Sequence, residues 1–300
     1  MLINENTLVK YKGMVNLMRT FRYEIYLILA ILISLSNIAQ ASGVDTATDG
    51  MKAFERGDND GAIRLLTQAI KTNELSEHDL QVSYLLRSRA YSHKKQYDLS
   101  IADSNAAINL KKDFIEAYYE RGNAFLSLGH YDRAIADFDI TIRLKQDIDF
   151  VYFKRGLAHY LKGQYDQAIF DYIKAISLDP NYAEAYLNRG VVYSATGQID
   201  LAIADYDAAI RLKPDDVVAL HNRGAAFLIK KQYDRVILDL GKLIKLNPDN
   251  AEAYFIRSAA YHFTGRNELA ITDLDKAISL KPNYEEAYGN RGFAYFEIGL

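Results

Sequence analysis

In the stretch from Ala183 to Pro214, apolar and small residues recur at helical spacing. Tyr186, Gly190 and Tyr193 lie four and three positions apart, so they share one face of a first helix. Ala202, Tyr206 and Ala209 do the same on a second, and Gly197 breaks the chain between them. Pro214 closes the second helix because it has no N–H to donate to the next backbone bond. Gly190 and Ala202 are small enough to let the two axes approach, with the tyrosines filling space on either side. The pattern returns with a period of 34. Pro180, Pro214, Pro248 and Pro282 mark it, as do Gly122, Gly156, Gly190, Gly224 and Gly292, with Ser88 and Ser258 in the two remaining slots. A fixed period of this size predicts an all-α solenoid of stacked helix-turn-helix units.

Counting places within the unit, place 4 is aromatic at Tyr84, Tyr118, Tyr152, Tyr186, Tyr254 and Tyr288. Place 11 holds Tyr91, Phe125, His159, Tyr193, Phe227, Tyr261 and Tyr295, and place 20 holds Ala134, Ala168, Ala202 and Ala270. Leu220 at place 4, and Ser100 and Val236 at place 20, depart from the pattern and are expected to weaken their units. This pattern resembles the tetratricopeptide repeat. Six units are expected over 81–284, a degenerate one with a linker over 42–80, and an incomplete one over 285–300. The degenerate unit is marked by Gly50, Gly57, Ala62 and Ala69, and a four-residue insertion within 72–79 sets it off. The resemblance implies a right-handed α-solenoid that binds other proteins.

Place 7 is arginine in all seven later units: Arg87, Arg121, Arg155, Arg189, Arg223, Arg257 and Arg291. Place 23 is aspartate in the six complete ones: Asp103, Asp137, Asp171, Asp205, Asp239 and Asp273. An arginine flanked by alanines on its helix lies against a neighbour, partly desolvated, and needs an anion. The matched numbers favour an internal Arg–Asp ladder over a basic strip gripping an acidic ligand.

The resemblance also implies a concave groove at places 2, 5, 9 and 12, opposite the core stripe. Here these places carry Phe150, Phe153, Leu157 and Tyr160, then Leu187 and Val191, then His221 and Leu228, then Phe255 and His262. Leu161, Ile229 and Phe263 flank them at place 13, and Glu184, Glu252 and Glu286 form an acidic edge. A face this apolar suits an extended or helical peptide with aliphatic anchors. The alternative is that these side chains merely cover one another. Asn188, Asn222 and Asn290 match an asparagine ladder seen in some family members, but Ile256 interrupts it. The family's clamp for a terminal carboxylate is missing, since Tyr119, Asn123, Lys154, Glu184 and Asn188 occupy its places.

Composition adds exclusions. The net charge is −3, so the chain offers no basic footprint for nucleic acid. There is no cysteine, which removes disulfides, thiol catalysis and thiolate metal sites. No phosphate-binding loop, zinc-protease or serine-hydrolase motif occurs. None of the six histidines is three or four residues from another, so no helix offers a paired metal site. The Asp58–Gly61 segment is read as a turn rather than a calcium loop. No cofactor or metal is expected, and the chain is read as non-catalytic. The competing reading is the substrate-recruiting arm of a longer enzyme.

At the amino end, Arg19 and Arg22 precede an apolar run from Ile25 to Leu35, and Ala39-Gln40-Ala41 follows. That is the signature of a signal peptide cleaved after Ala41. It predicts a periplasmic or secreted protein, with an anchor at residues 25–38 or a cytoplasmic adaptor as alternatives. At the other end, Tyr288, Tyr295, Phe296 and Ile298 would lie on an uncovered helix. Continuation of the polypeptide, or self-association through this helix, would cover them.

Overall fold

The computed structural model describes residues 42–299, so the expected signal peptide and the alternative anchor at 25–38 lie outside the described residues. Those residues form two compact units that divide between Ser83 and Tyr84. Among the described residues there are fifteen helices and no strand.

The first unit contains α1 (Ser42–Glu55), α2 (Asn59–Lys71) and the start of α3 (Glu77–His93). Its core is Met51 and Ala53 against Ala62, Leu66 and Ala69, all buried. Asp58 caps α2 by accepting from the Gly61 N–H at 2.8 Å, which is the role that segment plays. The insertion is absorbed partly by Asn73 at φ 57° and partly by an early start to α3, where the Asp79 N–H donates to Ser76 Oγ at 3.1 Å.

The second unit is an α-solenoid. After the rest of α3 come α4 (Tyr97–Leu110), α5 (Ile115–Ser127), α6 (Tyr131–Leu144), α7 (Asp149–Leu161) and α8 (Tyr165–Leu178). Then follow α9 (Ala183–Ala195), α10 (Ile199–Leu212), α11 (Val217–Ile229), α12 (Tyr233–Leu246), α13 (Ala251–Phe263), α14 (Asn267–Leu280) and α15 (Glu285–Glu297). From α5 onward, each first helix of a repeat packs on the second helix before it. First helices of successive repeats also touch one another, as α7 touches α5 and α9.

Two glycine places set the geometry. At place 15 the chain must turn with positive φ, which Gly129, Gly163, Gly197 and Gly265 supply at 73–78°. Lys95 and Lys231 hold the same turn at φ 59° and 57°. At place 8 the two helices of a repeat nearly touch. A Cβ on Gly190 would lie 2.7 Å from the Tyr206 ring, and one on Gly122 would lie 2.8 Å from Phe138. Before the prolines, Asp179 turns to extended backbone, and Lys213, Asn247 and Lys281 leave the helix at φ −129° to −136° and ψ 86°, clear of the helical region that a following proline disfavours.

The departures from the pattern are accommodated in pairs. Ser88, Ser100 and Ser104 replace glycine, alanine and an aromatic together. Their hydroxyls join at 2.8–2.9 Å inside the core, and Ser88 Oγ also donates to the Ser100 carbonyl at 2.9 Å. A buried hydroxyl is tolerated when it is hydrogen-bonded, and this set satisfies itself. Leu220 and Val236 are both fully buried, in one cluster with Leu240, Leu243 and Phe227, so aliphatic volume replaces tyrosine.

Candidate binding face and its supporting ladder

The arginines and aspartates expected to pair do so in each of the six complete repeats. Arg189 donates from Nε to Asp205 Oδ2 at 2.8 Å and from Nη2 to Oδ1 at 2.7 Å. Arg87, Arg121, Arg155, Arg223 and Arg257 grip Asp103, Asp137, Asp171, Asp239 and Asp273 with the same fork, at 2.6–2.9 Å. The aspartate side chains are only 1–8% exposed and the arginines 13–20%. Each guanidinium except that of Arg223 also lies 5.3–5.7 Å from the tyrosine ring three residues earlier, in the final repeat as well. The hydrogen bonds that Arg121 and Arg257 donate to Asp137 and Asp273 hold these guanidinium groups above the ordinary arginine value, against the opposing effect of burial.

A second anchor was not foreseen from the sequence. In several repeats the remaining Nη1 reaches back to place 25 of the preceding one. Arg155 reaches Asp139 at 2.5 Å, Arg223 reaches Asp207 at 2.6 Å, Arg291 reaches Asp275 at 2.6 Å, and Arg121 reaches Asn105 at 2.5 Å. At Arg189 the corresponding residue is Ile173, and at Arg257 it is Gly241. The arginines therefore fix the helix pair within a repeat everywhere and the seam between repeats only at some junctions.

The twelve candidate groove residues are all half-buried. Phe150 meets Tyr119 edge-on at 5.0 Å. Phe153 sits between Tyr172 at 5.8 Å and Tyr182 at 5.0 Å, and Phe255 lies 4.8 Å from Tyr284. Tyr160 neighbours Tyr165 at 6.1 Å. Leu187 and Val191 pack against the cluster of Ala202, Tyr206 and Ala226, and Leu228 packs against that of Leu220 and Leu240. Leu157, His221 and Asn222 are half-buried on the same series of helices. The Asn188 amide is occupied, donating to the Glu184 carbonyl at 2.8 Å. His262 bonds Asn267 Oδ1 through Nδ1 at 2.9 Å and meets Phe293 at 5.2 Å. The face is thus partly woven into the core, because rings at place 5 are long enough to reach the next connection. The residues most open to solvent are those at place 13: Leu161 is 46% exposed, Ile229 62%, and Phe263 60% although its ring stacks on Tyr233 at 5.0 Å.

One end of this face is polar. Arg89 donates from Nε to Glu120 Oε1 at 2.7 Å. Burial lowers the Lys154 ammonium, partly offset by the Glu120 charge, and pushes the Tyr119 phenol up to about 12. The signal was present at place 9, where Arg89 and Asn123 stand in place of the apolar residues of later repeats, and at place 6, where Glu120 and Lys154 carry charge where later repeats hold asparagine or isoleucine. Among the described residues, no hydrogen-bond partner meets the buried Asn123 Oδ1 or the buried Tyr172 hydroxyl.

Elsewhere, Arg155, His159, Asp166, Gln167, Phe170 and Asp171 line an open hollow of about 380 Å³. His159 is held there by Gln164 Oε1 at 2.7 Å from Nδ1. No group of three or more His, Cys, Asp or Glu that could hold a metal occurs among the described residues.

A model described as "TPR repeat" matches residues 156–197 and 259–299. Models described as "Tetratricopeptide repeat" match 183–216, and 82–114 with 115–146. Together they span more than half of the 300 residues. No curated protein matches the chain. Solved structures do. A tetratricopeptide repeat protein from Parabacteroides merdae is 17% identical, with 84% of this chain and 98% of that one covered, at a TM-score of 0.61. Pseudomonas aeruginosa pilF is 12% identical, covering 72% and 98%, at 0.63. YrrB, described as a TPR protein with an unusual peptide-binding site, is 22% identical, covering 63% and 97%, at 0.57. At these identities the likeness shows the fold alone.

Proposed function

Since the chain belongs to the tetratricopeptide repeat family, we propose that it is a non-catalytic scaffold holding a peptide or helical segment of a partner protein. The observation that carries this reading is the run of half-buried apolar side chains along successive first helices, from Phe150 to Phe263, with exposed Leu161, Ile229 and Phe263 along one margin. Such a face offers aliphatic and aromatic contact to an extended or helical segment. The peptide-binding site named in the YrrB description supports the same use of the fold. Export by the segment before Ser42 would place the scaffold in a bacterial-type cell envelope.

The test is selection of a random-peptide display library on the full chain. Peptides with apolar anchors should be enriched, and Ile229→Glu with Phe263→Glu should abolish their binding while leaving the helical circular dichroism intact. Enrichment of peptides whose binding ignores these two changes would refute the reading.

A further inference from the structure

We propose that the polar end of the apolar face selects one acidic side chain, aspartate or glutamate, within the bound segment, and that Lys154 on α7 is the residue that answers it. This assignment rests on the groove reading above and adds the charge that the occupant carries.

Three charged side chains stand on successive first helices here: Arg89 on α3, Glu120 on α5 and Lys154 on α7. Glu120 is already engaged. It accepts from Arg89 Nε at 2.7 Å, with the Arg89 side chain 20% exposed and that of Glu120 12%. Lys154 is half-buried, and among the described residues no carboxylate forms an ion pair with it. Burial lowers its ammonium, and the Glu120 charge offsets only part of that. A desolvated cation without a close anion is costly, and other lysines of the solenoid avoid the cost. Lys162, 27% exposed, pairs with Asp132, and Lys230, 38% exposed, pairs with Asp200 at 3.0 Å. Arg89, Glu120 and Lys154 together therefore carry one positive charge that none of them answers. Asn123, about one turn along α5 from Glu120, has a buried Oδ1 that no donor meets among the described residues. A main-chain N–H of the segment can serve it once the amide turns.

The surroundings narrow the occupant. Phe150, Phe153 and Leu157 share α7 with Lys154, four and one residues before it and three after, so the acid enters beside apolar contacts. An ion pair formed there is strengthened by the low local dielectric. One unanswered cation matches one carboxylate, whereas a doubly charged phosphate would face Glu120 with a charge unmet. In later repeats places 6 and 9 hold no charge, as at Asn188, Val191 and Asn222, so the acid is confined to this end of the face.

The probe is a random-peptide library displayed between two fixed domains, so that neither end of a peptide is free, and selected on the full chain. Enriched sequences should share one Asp or Glu at a fixed spacing from their apolar residues. The strongest, made as an acetylated and amidated peptide, should bind about tenfold or more weakly when that acid is replaced by its amide. In a Lys154→Met chain the two peptides should bind alike. The same chain should melt at or above the parent temperature, since an unpaired ammonium has given way to an apolar side chain. Enrichment without a shared acid, or an acid whose removal costs as much in Lys154→Met as in the parent, would overturn the proposal and leave the groove reading standing. A Lys154→Met chain that melts well below the parent would show the lysine to be structural and would also overturn it. Peptides that need Lys154 and their acid but ignore Ile229→Glu with Phe263→Glu would sustain the acid site and overturn the groove reading alone. No enrichment would overturn both.

Discussion

Arg189 offers the cleanest measure of what the ladder contributes. It has Asp205 as its bidentate partner, and Ile173 stands where other repeats supply a second acid. Arg189→Ala leaves the Asp205 carboxylate, 7% exposed, in a space shaped for an ion pair. Removing one member of a buried pair costs about 3–5 kcal/mol, because the survivor remains a desolvated charge. The guanidinium is 17% exposed, so water entering the vacated space places the expected loss near the lower end of that range. The loss of contact between the guanidinium and the Tyr186 ring, 5.6 Å away, adds to it. With a urea dependence of roughly 1–3 kcal/mol per molar, the unfolding midpoint should fall by about 1 M or more. Replacing both residues, Arg189→Met with Asp205→Leu, should recover most of the loss, since an apolar pair has no charge to strand. A midpoint unchanged in Arg189→Ala would refute the reasoning. The pair would then behave as an exposed one, worth about 1 kcal/mol or less.

Four further outcomes follow from particular residues. Lys231→Gly should raise stability by about 0.5–1 kcal/mol in the same urea assay, since Lys231 sits at φ 57° where other repeats use glycine. Tyr172→Phe should be stabilising by about 1 kcal/mol, because no partner among the described residues meets its buried hydroxyl and Phe138 fills the same place one repeat earlier. Gly241→Asp should raise the thermal midpoint slightly, by an amount equivalent to about 0.5–1 kcal/mol, as its Cβ would lie 3.7 Å from Arg257 Nη1 and restore the second anchor. Amino-terminal sequencing of protein exported by its native host should begin at Ser42, and a retained full-length chain would count against export.

Much of the second unit was legible because its period is rigid. Pro180 to Pro282 and Gly122 to Gly224 fix where helices end and where they touch, and each acts through backbone sterics that tolerate few substitutes. The Arg–Asp pairs were legible for a related reason: a charge repeated in the core at fixed spacing has to be answered. The link from Arg155 to Asp139 was not, because place 25 varies, holding Asn105, Ile173 and Gly241 as well as aspartates. The serine cluster of Ser88, Ser100 and Ser104 looked like a weakness one residue at a time. It is a solution only when three side chains from two helices are seen together. The binding face was least legible, since the exposure of Phe153 depends on Tyr182, which belongs to the connection after its own helix pair. Helical periodicity assigns a face; it does not say what the neighbouring turn lays across it.

The broken second anchor has a mechanical consequence. Where Arg155 holds Asp139 and Lys162 pairs with Asp132, two repeats are riveted at two points along the seam. The seam between α10 and α11 has the same two rivets, Arg223 to Asp207 and Lys230 to Asp200. Between α8 and α9 both are gone, with Ile173 in place of the acid and Thr196 in place of the lysine. That junction is held by apolar contact, which slides more readily than a directional ion pair. Load along the solenoid is therefore borne unevenly. A stack built this way should bend more readily at this junction, in the middle of the apolar face, than at the two riveted seams.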